Sequence, residues 1–194
     1  MANKVKLVAF AGSTRTESFN KKLVKIAVEG ARTAGADVTH IDLRDYEMPL
    51  YDGDLEAREG LPPQARRFKE LLVSSHGFII SSPEYNSSIS GVLKNAIDWA
   101  SRPQPGEPSL VAFTGKTAVL MSASPGALGG LRGLVHLRAI LSNINVLVLP
   151  QQQAISKAGE AFSPDGSLKD AKMQQGVTDL GRRLAEMTGK LLTA

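Results

Sequence analysis

Apolar runs and helical stripes alternate along the chain from end to end. Val5–Ala11 is apolar at six of its seven positions and short enough to be a strand. A polar stretch, residues 12–20, separates it from Leu23, Ile26, Ala27, Gly30 and Ala34, which recur at helical spacing until Gly35 stops them. Val38–Leu43 reads as a second strand. Residues 44–63 carry Pro49, Gly53, Gly60, Pro62 and Pro63 and read as one long loop. Ala65, Phe68, Leu71 and Leu72 mark a helix, Gly77–Ser82 a third strand, and Val92, Leu93, Ala96, Ile97 and Ala100 a helix over Gly91–Arg102. Prolines 103, 105 and 108 break the chain again. Thr117–Met121 is a fourth strand; Leu131, Leu134, Val135, Ile140 and Leu141 share a helix, and Val146–Leu149 is a fifth strand. Residues 150–167 read as a surface excursion, and Val177, Leu180, Leu184, Met187 and Leu191 form the stripe of a terminal helix.

Strict strand–helix alternation predicts an α/β fold with a parallel sheet, right-handed crossovers and helices on both faces, as a single domain over residues 1–194. Five units suit the flavodoxin-like strand order 2-1-3-4-5, a three-layer sandwich. In that order the loops after strands 1 and 3 flank the point where the winding direction reverses, and ligands bind at the carboxyl ends of the strands there.

Composition narrows the function classes. The chain has 194 residues, 42% hydrophobic and 22% charged, which fits an ordinary globular domain. It has no cysteine, which excludes disulfides, thiolate metal sites and a cysteine nucleophile. The net charge of +4 is mild and spread along the chain, so nucleic acid is not an expected partner. No apolar run approaches the ~18 residues of a membrane span, and no secretory leader is visible, so the expectation is a cytoplasmic protein with no membrane partner.

Three loops could carry chemistry. Residues 12–20 offer the hydroxyls of Ser13, Thr14, Thr16 and Ser18, the guanidinium of Arg15 and the amide of Asn20, and they lead into a helix N-terminus. Unpaired N–H groups and the helix dipole there favour an anion, so the loop suits a phosphate. A plain N-cap by Ser18 or Asn20 is the structural alternative. The loop lacks the Gly-Lys-Ser/Thr ending of a Walker A motif and the three glycines of a dinucleotide fingerprint. Pro83, Glu84, Tyr85 and Asn86 could lay rigid backbone along a flat ring, or simply form a polar connection. Ser122–Gly130 is rich in glycine and serine and can approach a ligand closely by its main chain.

No catalytic constellation accompanies these loops. His40, His76 and His136 lie outside them and read as structural, and Ser13 has no evident histidine partner. No metal-ligand spacing is present. Lys94 and Asp98 form a helix-surface pair at i, i+4. Trp99 reads as either core or interface, and its place at a helix end beside Arg102 and a proline loop favours the interface. A phosphate site and a ring loop without acid, base or metal fit a protein whose chemistry belongs to its cofactor, with no catalytic side chain.

The residues Gly12-Ser13-x-Arg15-x-x-Ser18-Phe19-Asn20, followed by Pro83-Glu84-Tyr85-Asn86-x-Ser88-x-x-Gly91-x-Leu93-Lys94-Asn95-Ala96-Ile97-Asp98-Trp99, strongly resemble the NAD(P)H-dependent FMN reductase family, in its quinone/chromate-reductase branch. Leu50-Tyr51-Asp52 and Ser124-Pro125-Gly126-x-x-Gly129-Gly130 extend the resemblance over nearly the whole chain. It implies a flavodoxin-like fold, bound FMN, and hydride transfer from NADPH or NADH to the flavin and on to small-molecule electron acceptors: quinones, azo compounds or metal oxyanions such as chromate. By the same resemblance Ser13, Arg15, Ser18, Phe19 and Asn20 hold the FMN phosphate. Pro83, Glu84, Tyr85 and Asn86 line the isoalloxazine, and Ser124 closes its other side. It also implies a homo-oligomer, a dimer or tetramer. A non-enzymatic electron carrier of the flavodoxin kind is the alternative, disfavoured because such carriers are usually acidic.

Overall fold

The computed structural model describes residues 4–193. In chain order the elements are β1 (Lys6–Ala11), α1 (Phe19–Thr33), β2 (Asp37–His40), a 3-10 turn (Leu43–Asp45), α2 (Gly53–Glu59), α3 (Pro63–Val73) and β3 (Gly77–Ser81). Then come β4 (Glu84–Tyr85), β5 (Ser88–Ile89), α4 (Gly91–Ala100), β6 (Thr117–Ala123), α5 (Leu131–Asn143), β7 (Leu147–Ile155), α6 (Ala158–Ala161) and α7 (Ala171–Leu192). The main sheet is parallel in the order β2-β1-β3-β6-β7, which is the flavodoxin-like 2-1-3-4-5 once the small β4–β5 ribbon is set aside.

Alternation along the strands divides the core into two layers. Leu7, Ala9, Ile79, Val119 and Met121 face α1 and α7. Val8, Phe10, Phe78, Ile80, Ala118 and Leu120 face α3, α4 and α5. Each large side chain so buried contributes about 1.5–3 kcal/mol. On the first face α1 and α7 approach until their backbones nearly touch. A Cβ on Gly30 would overlap the Thr178 carbonyl, and one on Gly181 the Ala27 carbonyl, so both positions require glycine.

The structure departs from the sequence reading in four places. Residues 44–63 are not one loop: the 3-10 turn is capped by Asp42, and α2 by Asp52, whose carboxylate accepts from the Asp54 and Leu55 N–H groups. This second helix buries no residue, so no apolar stripe betrays it. The fifth strand runs on to Ile155, through the start of the expected surface excursion; its pairing with β6 shifts register between Ala118 and Leu120, which accommodates Pro150. Residues 84–89 hold the ribbon. Trp99 is not at a surface: it is fully buried, its ring meets Tyr51 edge to face, and its indole N–H donates to the Pro49 carbonyl at 2.8 Å. Arg102 is likewise spent within the chain, paired with Glu56 at 2.9 Å.

Candidate functional site

Parallel neighbours β1, β3 and β6 end at the same edge of the sheet, so the loops that follow them emerge side by side. Hydrogen bonds to main-chain carbonyls tie the three together. The Gly12 N–H donates to the Ser81 carbonyl at 2.8 Å, the Ser90 hydroxyl to the Gly12 carbonyl at 2.6 Å, and the Ser82 N–H to the Met121 carbonyl at 2.8 Å. Gly12 packs closely on α4, where an added Cβ would crowd the Leu93 side chain at 2.8 Å.

Asn20 is the strongest tie. Its amide donates to the Ala123 carbonyl at 2.9 Å, and its carbonyl oxygen accepts from the Ala123 N–H at 3.0 Å and the Ser81 hydroxyl at 2.9 Å. It is almost fully buried, so its side chain joins the start of α1 to the ends of β3 and β6 and is not free for a phosphate. The Phe19 ring is likewise engaged elsewhere: it stacks on Phe162, centroids 5.8 Å apart, and packs against the core. Both residues keep their N–H groups at the start of α1, ahead of the first helical bonds from Lys21 and Lys22 to the Ser18 carbonyl.

Those N–H groups are unclaimed by a cap. Ser18 occupies the N-cap position but makes no side-chain capping bond, and neither does any residue in its place. The Ser13 hydroxyl accepts weakly from the Arg15 N–H at 3.3 Å. Arg15 is exposed and takes part in no ion pair among the described residues. Hydroxyls, helix-start N–H groups and an unspent guanidinium are the donor set that an FMN phosphate needs, and the loop therefore fits it. Arg44 was not singled out in the sequence. It clasps this loop from outside, donating to the Thr14 carbonyl and, at 2.9 Å, to the Thr16 hydroxyl.

The ring loop is a tight hairpin. Asn86 and Ser87 have φ of 49° and 65°, the paired left-handed residues of a type I′ turn. Such backbone costs about 1 kcal/mol at a non-glycine residue and persists only where its surroundings impose it. The surroundings here are α5. The Glu84 carboxylate accepts from the Gly133 N–H at 3.0 Å and from Arg132 at 2.9 and 2.6 Å. Burial alone raises the Glu84 pKa, but the Gly133 N–H and the Arg132 guanidinium outweigh it and hold the carboxyl below the usual range. His136 and Ser88 share a further hydrogen bond at 3.0 Å. This histidine thus touches the ring loop from the adjoining helix, which its sequence position did not reveal. Pro83 is buried and Tyr85 half exposed, so the hairpin presents main chain and one aromatic ring outward.

The third loop begins at Ser124, whose hydroxyl accepts from the Gly126 N–H at 3.2 Å and whose N–H donates to the Ile155 carbonyl. Gly129 and Gly130 both take positive φ, 62° and 91°. A Cβ at Gly130 would overlap the Ser122 hydroxyl, and one at Gly129 the Ile155 main chain, so this loop lies close on the sheet end. His40 lines a cavity beside the first loop, and no group of three or more His, Cys, Asp or Glu could hold a metal among the described residues.

Comparison with known proteins agrees with this geometry. The family model for NADPH-dependent FMN reductase matches residues 5–160. An NAD(P)H-dependent FMN reductase of Pseudomonas aeruginosa is 38% identical over 176 residues, 90% of each chain. A quinone reductase of Escherichia coli K12 is 36% identical over 149 residues, 77% of this chain and 76% of that one. Among solved structures, FerB, a flavoenzyme NAD(P)H:(acceptor) oxidoreductase from Paracoccus denitrificans, superposes with a TM-score of 0.80 at 28% identity, covering 96% of this chain and 98% of its own. The chain belongs to the NADPH-dependent FMN reductase family and is a flavin oxidoreductase with FMN as cofactor and NAD(P)H as co-substrate.

Proposed function

We propose that this protein reduces quinones at the expense of NAD(P)H, with FMN held across the three loops. One observation carries the proposal: three loops locked together at one sheet edge offer unspent phosphate donors at one end and a rigid hairpin at the other. The E. coli relative is named a quinone reductase, which supports that acceptor class.

Bound FMN supplies the redox chemistry, accepting a hydride from the reduced nicotinamide and delivering two electrons to the acceptor. The chain's own residues bind and orient. Ser13, Arg15 and Ser18, with the N–H groups of Phe19 and Asn20, take the phosphate. The Pro83–Asn86 main chain would line the isoalloxazine, and Ser124 would close its other side. Glu84 acts through α5, keeping the hairpin in place, and Tyr85 packs by its ring. Donor and acceptor would share one open face of the bound ring in turn, which predicts ping-pong kinetics. Orientation of this kind accounts for the protein's share of the rate without a titrating side chain. The dimer or tetramer rests on family resemblance alone, since Trp99 and Arg102 are used inside the chain, and light scattering at micromolar concentration tests it.

NADH and NADPH consumption by the FMN-loaded protein, followed against a panel of quinones, azo dyes and chromate, tests the proposal. Rapid quinone-dependent consumption with parallel double-reciprocal plots is expected. Absence of steady-state NADH or NADPH oxidation would leave a non-enzymatic electron carrier in its place.

A further inference from the structure

A cavity of about 510 Å³ opens beside the phosphate loop, between the first half of α1 and the end of β2. Lys21, Lys22 and Lys25 reach it from α1 and Arg44 from the turn after β2, with the Thr16 and Ser18 hydroxyls at its rim. Two carboxylates share this lining, and neither neutralises it. Asp42 is spent on Lys21, at 2.5 Å, and on the Arg44 N–H. Glu17 is largely exposed and stands 3.8 Å from Lys22. The Arg44 guanidinium touches only neutral oxygens, those of Thr14 and Thr16, and no acid pairs with Lys25 among the described residues. His40, also in the lining, is held below its ordinary pKa by burial and then by Lys25 and Arg32, as expected where the local field is positive.

Surface lysines usually just face water. Here cations converge from two elements on a concavity that already carries hydroxyl donors, which is the chemistry of a phosphate monoester. The FMN phosphate is the less suitable occupant: of the side chains assigned to it above only Ser18 lines this cavity, and Ser13 and the Arg15 guanidinium do not. The cavity sits by β2, two strands from β3 and its ring loop, or roughly 10 Å at the usual strand spacing. A dinucleotide with its nicotinamide at the ring loop can extend that far. On the other side of Arg44 a second cavity, about 350 Å³, is lined by Tyr46, Met48 and Val92 and suits a flat base.

We propose that the 2′-phosphate of NADPH docks between Lys22, Lys25 and Arg44, with its adenine behind Arg44, and that this contact makes the protein select NADPH over NADH. The inference rests on the reading of the ring loop as the nicotinamide's place.

The test has a binding arm and a kinetic arm, both on the FMN-loaded protein. By calorimetry, 2′,5′-ADP should bind at least about tenfold more tightly than 5′-AMP, which lacks the second phosphate, and the double variant Lys22→Ala/Lys25→Ala should abolish the difference. Equal binding of the two nucleotides by the unmodified protein overturns the proposal. In turnover, the double variant should lower the NADPH-to-NADH ratio of kcat/KM by about ten- to a hundredfold, and Lys25→Arg should keep it. An unchanged ratio overturns the proposal, as does a tenfold loss of FMN affinity in the double variant, which would hand the cavity to the FMN phosphate. If the unmodified protein oxidises neither dinucleotide, the proposed function fails, and the calorimetric comparison still decides the cavity.

Discussion

At its middle α1 presses against α7; at its start it opens onto the three loops. The two regions share a helix and differ in everything that holds them. The helix pair is closed by glycine for contact, since Gly30 and Gly181 let two backbones meet where any side chain would overlap a carbonyl. The sheet edge uses glycine for direction: Gly129 and Gly130 take positive φ so that a loop can fold back over its own strand end. In the first region apolar burial on the sheet holds the pieces, with Val24, Ala27, Val177 and Leu184 all enclosed. In the second, hydrogen bonds donated by Asn20 and Ser90 and accepted by Glu84 hold loops whose outward residues have little packing of their own. Stability is concentrated in one region and binding donors in the other, and substitutions can separate the two.

The largest effect is expected from Gly181→Ala. The added methyl cannot be absorbed by a flexible side chain, because the obstacle is the Ala27 main chain. Forcing α1 and α7 apart should cost about 3 kcal/mol, a fall in Tm of roughly 6–12 °C for a chain of this size. Thermal unfolding of the FMN-free protein measures it, and an unchanged Tm would show that the helix pair is not closely packed.

Arg15→Ala should do the reverse, leaving the Tm of the FMN-free protein in place while weakening FMN. A charge-assisted contact to phosphate is worth about 1.5–3 kcal/mol, so affinity should drop by about 10–150-fold. Unchanged affinity by flavin fluorescence titration would remove Arg15 from the site.

Glu84 lies between the two behaviours, since it is a buried anchor in the exposed region. Its folded pKa is depressed, so its contribution is present above the ordinary carboxylate value and is lost as pH falls through the folded one. Glu84→Gln should therefore cost about 1–2 kcal/mol at neutral pH, with Arg132 discounted for its exposure. The gap between the unmodified protein and the variant should narrow below about pH 4.3. A gap that stays constant from pH 7 to pH 3 would show that the carboxylate charge is not what ties the hairpin to α5. The smallest effect belongs to Tyr85→Phe, which retains the half-exposed ring and removes only the hydroxyl. Most of the turnover rate should remain, and a drop of about 10²–10⁴-fold would make Tyr85 a proton donor.

The sequence revealed what periodicity can reveal. Five strands and the helices between them stand out because their apolar residues recur at two spacings, and strand–helix alternation then leaves few strand orders. It did not reveal α2, a polar helix marked only by Asp52 before it and Gly60 after it. Nor did it reveal the second half of β7, where Gln151, Gln152 and Gln153 lie on an edge strand and carry no apolar signal. The three site loops were legible as loops rich in hydroxyl, glycine and one arginine. Their anchoring was not, because it joins residues far apart in the chain: Asn20 to Ala123, Glu84 to Gly133, Arg44 to Thr14. The same distance effect misassigned Trp99. A tryptophan at a helix end suits an interface equally well until Pro49 and Tyr51 are seen to cover it.

The central claim is that three loops at one edge hold a single FMN. Amide hydrogen exchange with and without FMN tests it most directly. Residues 12–20, 83–90 and 122–131 should gain protection together at one stoichiometric equivalent of FMN, while the α1–α7 contact around Gly30 and Gly181 exchanges as before. Protection confined to one of the three loops, or centred on another part of the chain, would contradict the account.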